Sequence, residues 1–264
     1  MNRRAWTFVW FVFASGALFC LASLPIPEFS QRELLTFAVL TALATAAQLF
    51  KAEGPDHQLY YATRVFQFAA ILLIHPFYYI LLVAIAHVVE WVKERWTDGA
   101  NLRGWYLQPF NIATHIIAGL TARGVYETIN PDFLNFTSTT AIVGMLAAAT
   151  VYVVLNHLMV GMALILARGV SLNASGIMTV ELLVPDLINM ALGGIVAIVW
   201  DINPLLVAFA ISPLVLIHRA LQVPQLRKQA TTDSKTNLWT PGISCTCTPK
   251  SCSAPRGSIV RYRS

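Results

Sequence analysis

The feature that most constrains the fold is the segment of residues 141–167, which contains no Asp, Glu, Lys or Arg. An α-helix rises about 1.5 Å per residue, so this segment is longer than the roughly 30 Å hydrocarbon core of a bilayer and predicts a tilted spanning helix. Soluble domains contain about 25% charged residues. This chain has 12%, together with 56% hydrophobic residues and a mean hydropathy of +0.62. The composition therefore predicts an integral membrane protein.

Further apolar segments predict the remaining spans, although some are short or interrupted by single charges. They are residues 5–24, 34–50, 62–74, 77–92, 106–129, 180–200 and 202–220. His75-Pro76 and Asn203-Pro204 separate neighbouring segments, because proline lacks an N–H donor and disfavours helix in the residue before it. The pattern predicts an all-α polytopic membrane protein of about eight transmembrane helices, with residues 1–220 as its membrane domain.

Basic residues predict the orientation of these spans. If the N-terminus is cytoplasmic, the outer connections hold only Arg32 and Arg123. The cytoplasmic segments then hold Arg3, Arg4, Lys51, Arg64, Lys93, Arg95, Arg103, Arg168, Arg219, Arg227 and Lys228. This asymmetry follows the positive-inside rule and predicts an even number of spans with both termini in the cytoplasm. The net charge of +5 thus reflects topology and contact with the lipid bilayer, not nucleic acid binding.

Polar and ionisable residues recur inside the predicted spans, where they are costly unless they face the bundle interior. The candidate residues are Arg64, His87, Glu90, Asn111, His115, Asn156, His157, Asp186 and Asn189. Spacings of three or four residues place the members of a pair on one helix face, as for His87 with Glu90. We expect one polar layer near the midplane and cytoplasmic half, with Arg64 facing Glu90 and Asp186 facing His115 or His157.

Three interpretations of this layer are open. The side chains can simply join helices through hydrogen bonds, each contributing about 1 kcal/mol. They can instead form a pocket for a small ligand or a proton-sensing site. A metal or haem site using His87, His115 and His157 is disfavoured, because no ligand spacing such as H-x3-H is present. The residues predict no bound cofactor, no metal site and no catalytic group.

A short motif follows the last predicted span. The sequence Ala230-Thr-Thr-Asp233-Ser-Lys-Thr236-Asn-Leu238 resembles the opening of GGDEF-type diguanylate cyclase domains, where the pattern is close to T-D-x-x-T-G-L-x-N. Thr232, Asp233, Thr236 and Leu238 match this pattern. Asn237, Thr240 and Pro241 depart from it. Three membrane segments are similar to the MASE-type sensor regions that precede such domains in bacteria: Ala86-His87-Val-Val-Glu90-Trp91, Phe110-Asn111-Ile-Ala and Leu155-Asn156-His157-Leu.

The resemblance implies a sensory module in the bacterial inner membrane. Its signal would pass through a stalk at residues 221–240, which would also support a homodimer, to a domain that makes cyclic di-GMP. The sequence Gly-Gly-Asp-Glu-Phe is absent from the chain, so no catalytic residue is carried over and the chain by itself is not expected to be an enzyme. Residues 241–264, with Cys245, Cys247 and Cys252, predict a disordered tail. We expect that the cyclase gene is interrupted or frameshifted at this point.

Two other functional classes fit the same composition. A small transporter or permease component would account for Pro185 and Pro213 within predicted spans, since broken helices are common in transporters. An inert structural membrane protein would use the polar residues only to join helices. The stimulus of a sensor, whether a small molecule or a membrane state, is not indicated by any motif.

Overall fold

The computed structural model describes residues 2–24, 30–49, 52–53, 59–60, 62–98, 104–133, 135–169 and 179–209. This part of the chain is almost entirely α-helical. In chain order its helices are α1 (Arg3–Ala22), α2 (Gln31–Leu49), α3 (Thr63–Leu73), α4 (Pro76–Asp98), α5 (Leu107–Ile129), α6 (Thr139–Arg168) and α7 (Val180–Ile202). The strands β1 (Ala52–Glu53) and β2 (Leu59–Tyr60) form a small antiparallel pair between α2 and α3. The prediction of an all-α chain is confirmed for these residues apart from that pair.

The predicted eighth span is described only where it begins. Pro204–Leu206 form a 3-10 turn and residues 207–209 are helical. The rest of that span, the stalk, the motif residues Asp233, Thr236 and Leu238, and the tail at 241–264 lie outside the described residues. By length and composition, four described helices can cross a membrane: Arg3–Ala22, Pro76–Trp96, Thr139–Arg168 and Leu182–Ile202. The apolar helix Thr63–Leu73 is shorter.

Local sequence explains where several helices begin and end. The Asn2 side chain accepts a hydrogen bond from the Ala5 N–H at 2.9 Å, and the Ser138 hydroxyl accepts one from the Ala141 N–H at 3.0 Å. Both residues thereby satisfy donors that a helix start leaves unpaired. Gly169 ends α6 in the left-handed conformation, with φ 70°, which glycine adopts without a steric penalty.

Side-chain contacts show that α1 runs opposite to α6 and that α2 runs opposite to α7. At one end, which we call the proximal end, the Asn2 amide donates to the Leu166 carbonyl at 2.8 Å. At the other, distal end, the Trp200 indole donates to the Thr36 hydroxyl at 3.1 Å. The start of α1 therefore lies beside the end of α6, and the start of α2 lies beside the end of α7. Of the basic residues counted above, only Arg32 and Arg123 among the described ones lie at the distal end.

The bundle has an apolar outer surface, and its interior buries several polar side chains beside a packed apolar core. Large apolar side chains such as Phe11, Leu146 and Ile195 are more than half exposed on the outer surfaces of α1, α6 and α7. By contrast Gln67, His87 and Glu90 are each less than 5% exposed. This distribution suits a surface that contacts lipid. Hydrocarbon tails are as apolar as leucine, so the helices are held together by packing and by polar contacts between them.

Helix α3 lies at the centre and is buried along most of its length. Its closest neighbour is α7, which approaches it at Gly193. A β-carbon at Gly193 would lie 2.5 Å from the Val65 carbonyl oxygen and 2.9 Å from the Phe68 β-carbon. Glycine at this position thus permits the backbone contact between the two helices, as small residues commonly do in membrane bundles. This contact fixes which polar residues of α7 can meet α3.

Candidate functional site

A polar cavity of about 450 Å³ lies at the proximal end, enclosed by helices α2 to α6. We call it the proximal cavity. It is lined by Gln48, Thr63, Arg64, Gln67, His87, Glu90, Glu94, Leu107, Gln108, Asn111, Thr114, His115, Asn156 and Val160. Most of these side chains carry hydrogen-bonding groups, although they come from helices with apolar outer surfaces. Its volume is within the ~300–1,000 Å³ range of small-molecule sites.

Glu90 is the buried carboxylate of this cavity and is 4% exposed. Its Oε2 atom accepts hydrogen bonds from the Gln48 amide at 2.7 Å and the Gln108 amide at 3.4 Å. The His87 Nδ1 atom lies 3.8 Å from the same oxygen and 3.2 Å from Gln108 Oε1. Both of these groups are acceptors, so the tautomer with its proton on Nδ1 is the one that can donate to them. Residues from α2, α4 and α5 therefore converge on one carboxylate.

His115 contacts both His87, beside the Glu90 carboxylate, and Tyr152, nearer the centre of the bundle. Its ring stacks on that of His87, with centroids 5.1 Å apart, and its Nδ1 atom lies 2.6 Å from the Tyr152 hydroxyl. The same hydroxyl lies 3.1 Å from Gln67 Oε1. The hydroxyl has one proton and can donate to only one of these two atoms. The tautomer of His115 is thus coupled to the hydrogen bond between Tyr152 and Gln67.

An ion-paired group forms the boundary between the cavity and α7. Arg64 pairs with Oδ1 of Asp186, and the His157 Nε2 atom lies 2.6 Å from Asp186 Oδ2. These side chains belong to α3, α7 and α6, and each is at most 22% exposed. Arg64 also lines the cavity. One guanidinium therefore takes part both in the wall of the cavity and in the contact that holds α7 to α3.

The structure brings most of the predicted polar residues together. The expected proximity of Asp186 and His157 is present, whereas Arg64, expected to face Glu90, forms its described ion pair with Asp186. The reason is that α3 packs against α7. Asn111 and Asn156 line the cavity. Asn189 is half-buried one turn along α7 from Asp186 and is not among the lining residues.

Sequence reasoning missed Gln48, Gln108 and Tyr152. Gln108 stands three residues before Asn111 on α5, and this spacing could have identified it. Tyr152 stands four residues before Asn156 on α6, so helical spacing could have identified it as well. The role of Gln48 depends on Glu90, a partner on another helix that only the fold supplies. Within the described residues, no group of three His, Cys, Asp or Glu side chains is placed to hold a metal ion. His87 and His115 contact each other, while His157 contacts Asp186.

A second cavity, of about 380 Å³, lies at the distal end and shares no lining residue with the proximal cavity. Between the two, the helices carry buried apolar side chains such as Leu40, Phe68, Leu82 and Met190. The proximal cavity is therefore closed toward the distal end by a packed apolar layer.

Comparison with known protein families, curated proteins and solved structures finds no match for this chain.

Proposed function

We propose that this chain is the membrane-embedded sensory module of a signalling protein and that the proximal cavity receives a small polar ligand. The observation that carries the proposal is the dual position of Arg64. It lines the cavity and it also pairs with Asp186 of α7. A ligand acceptor that binds Arg64 competes with Asp186 for the same guanidinium, so occupancy of the cavity and the position of α7 are energetically linked.

The sequence after α7 supplies a route for the signal. The predicted helix at residues 202–220 follows α7 directly and leads to the stalk with its resemblance to the entry of a GGDEF domain. A shift of α7 against α3 would alter the start of that helix. In a dimer formed through the stalk, such a shift would change the relative position of two output domains and hence the synthesis of cyclic di-GMP. Small displacements are sufficient because packed helices switch between discrete arrangements.

A chimera tests this proposal. Residues 1–238 are joined in frame to the catalytic domain of an active diguanylate cyclase, and cyclic di-GMP formed per molecule of membrane-inserted chimera is measured. We expect Asp186→Asn to change this output by about fivefold or more, because it removes the carboxylate that competes for Arg64. Asn189→Ala serves as the control, since it alters a polar residue of α7 that does not line the cavity.

The result also separates a sensor from a merely structural polar layer. If Asp186→Asn lowers thermal stability but leaves the output per molecule unchanged, the Arg64–Asp186 pair only joins helices and the proposal is wrong. Equal effects of Asp186→Asn and Asn189→Ala would also contradict it, because the effect would then not depend on Arg64.

A transporter is the second candidate, and the pair of cavities at opposite ends of the bundle favours it. Alternating access requires a site that opens in turn to each end. This function predicts saturable uptake of a small polar solute by liposomes that contain only this chain. A sensor module predicts ligand binding without such uptake.

A further inference from the structure

The distal cavity has a different chemical character from the proximal one. Its lining residues are Ser30, Arg32, Glu33, Thr36, Leu73, Ile74, His75, Arg123, Phe133, Phe136, Trp200 and Asp201. Two guanidinium groups and two carboxylates are combined here with three aromatic side chains. Of the aromatic side chains, Phe136 and Trp200 are each 3% exposed and form a packed, apolar part of the cavity wall. None of these residues belongs to the polar layer predicted from the sequence.

Arg123 is held rigidly at one side of this cavity. Its Nε atom donates to Glu127 at 2.8 Å, and its Nη1 atom donates to the carbonyl oxygens of Ile71, at 3.0 Å, and Ile74. Its guanidinium lies 4.6 Å from the centroid of the Phe133 ring. Among the described residues, no acceptor is assigned to the second amino group, Nη2. The cavity therefore contains a positioned cation with donor capacity, which is the usual recognition group for a carboxylate.

Acidic groups occupy other parts of the same wall. Glu33 accepts a hydrogen bond from the His75 backbone N–H at 2.7 Å through Oε1. Its second oxygen has no donor assigned among the described residues. At the rim, Asp201 pairs with Arg32 at 3.1 Å, and their side chains are 44% and 68% exposed. Two positive and two negative side chains thus line the cavity, with Arg32 and Glu33 on α2, Arg123 on α5 and Asp201 on α7.

We propose that the distal cavity binds a small zwitterion of the α-amino acid class. The ligand carboxylate binds the Arg123 guanidinium, and the ligand ammonium group binds the Glu33 carboxylate. Arg123 already shares its charge with Glu127, so a ligand with one charge would add a net charge to this partly buried site. A zwitterion adds none and can bind the guanidinium and the Glu33 carboxylate together. Leu73, Phe136 and Trp200 provide an apolar surface for a short side chain. The cavity of about 380 Å³ is large enough for such a molecule.

Binding measurements with three probes test this assignment. L-alanine carries both charges, propionate lacks the ammonium group, and ethylamine lacks the carboxylate. Each is titrated into the full chain in lipid nanodiscs, and binding is followed by isothermal titration calorimetry. We expect saturable binding of alanine that is at least about tenfold tighter than that of either analogue. Equal affinity for propionate or ethylamine, or no saturable binding of alanine, would overturn the proposal.

A variant of Glu33 locates the bound probe. Glu33→Gln keeps an oxygen that can accept the His75 N–H bond but removes the charge, and we expect alanine to bind about tenfold more weakly. Arg95→Gln, which removes an exposed charge at the proximal end, is the control and should keep the affinity. Unchanged alanine affinity in a folded Glu33→Gln protein would show that the probe binds elsewhere, which contradicts the proposal. The comparison of the three probes on the unmodified chain remains decisive if this variant does not fold.

Discussion

Tyr79 of α4 lies directly against Gly119 of α5. A β-carbon at position 119 would overlap the Tyr79 ring, whose Cε1 atom would be only 2.6 Å away. The Tyr79 hydroxyl donates to the His115 carbonyl at 2.8 Å, one turn along α5. The absence of a side chain at Gly119 thus lets a buried tyrosine reach the backbone of the helix that carries His115, and it sets the spacing of α4 and α5 beside the proximal cavity.

Gly119→Ala is expected to destabilise the bundle by about 1–3 kcal/mol, because the added methyl group must displace the Tyr79 ring. Thermal unfolding of the detergent-solubilised protein, followed by circular dichroism, measures the change. Gly124→Ala on the same helix is the matched control, since a β-carbon there meets nothing within 4 Å. We expect that control to be neutral or slightly stabilising, as alanine favours a helix more than glycine does. Similar losses in both variants would contradict the steric explanation.

Tyr152→Phe is expected to lower stability by about 0.6–2 kcal/mol, the range for side-chain hydrogen bonds between membrane helices. The substitution keeps the buried ring but removes the hydroxyl that lies between His115 and Gln67. Equilibrium unfolding in mixed micelles measures the loss. The control is Tyr106→Phe, since the Tyr106 hydroxyl has no hydrogen bond assigned among the described residues. If Tyr152→Phe loses no more stability than Tyr106→Phe, the Tyr152 hydroxyl makes no net contribution to the stability of the bundle.

His75 should make the stability of the distal end depend on pH. This residue lies between α3 and α4, and its Nδ1 atom accepts a hydrogen bond from the Phe77 N–H at 3.3 Å. Burial lowers the pKa of His75 from its ordinary value of 6.5, nearby Arg123 lowers it further, and Glu33 acts in the opposite direction. The folded state therefore favours the neutral imidazole, which is also the form that can accept from Phe77.

The sign of the effect follows from this shift. Because the unfolded chain binds the proton more tightly, the contribution of His75 is fully present above its unfolded pKa and is lost as the pH falls through the lower, folded pKa. We expect the melting temperature to decline over that acidic interval. His75→Asn keeps an acceptor for the Phe77 N–H without titrating, and should show a smaller decline. An identical pH profile for the two proteins would exclude His75 as the cause.

The charge distribution predicts which end of the bundle faces the cytoplasm. In a background without the four native cysteines, Trp96→Cys places a thiol at the proximal end and Asp132→Cys places one at the distal end; both positions are exposed. In intact bacterial cells, a membrane-impermeant maleimide should label only the cysteine at position 132. Labelling only at position 96 would reverse the proposed orientation, and lysed cells should show labelling at both positions.

The helices of this protein were largely predictable from its sequence. Residues 62–74 and 106–129 were expected as helices, and α3 and α5 occupy Thr63–Leu73 and Leu107–Ile129. The break at His75-Pro76 was also foreseeable, because proline has no N–H donor. In the hydrocarbon core of a bilayer every backbone polar group needs a hydrogen-bond partner within the protein. An apolar segment between two helix-breaking residues therefore forms a helix, which pairs these groups internally. Helical spacing likewise placed His87 and Glu90 on one face.

The partners of the polar residues were decided by the tertiary structure. Spacing along a helix determines which face a residue occupies but not which helix lies opposite. Asp186 meets both Arg64 and His157 because α7 packs against α3 at Gly193 and also contacts α6. The convergence of Gln48 and Gln108 on Glu90 has the same origin, and so does the distal cavity. These sites combine residues distant in sequence, because only the order and contacts of the helices within the bundle bring them within hydrogen-bonding distance.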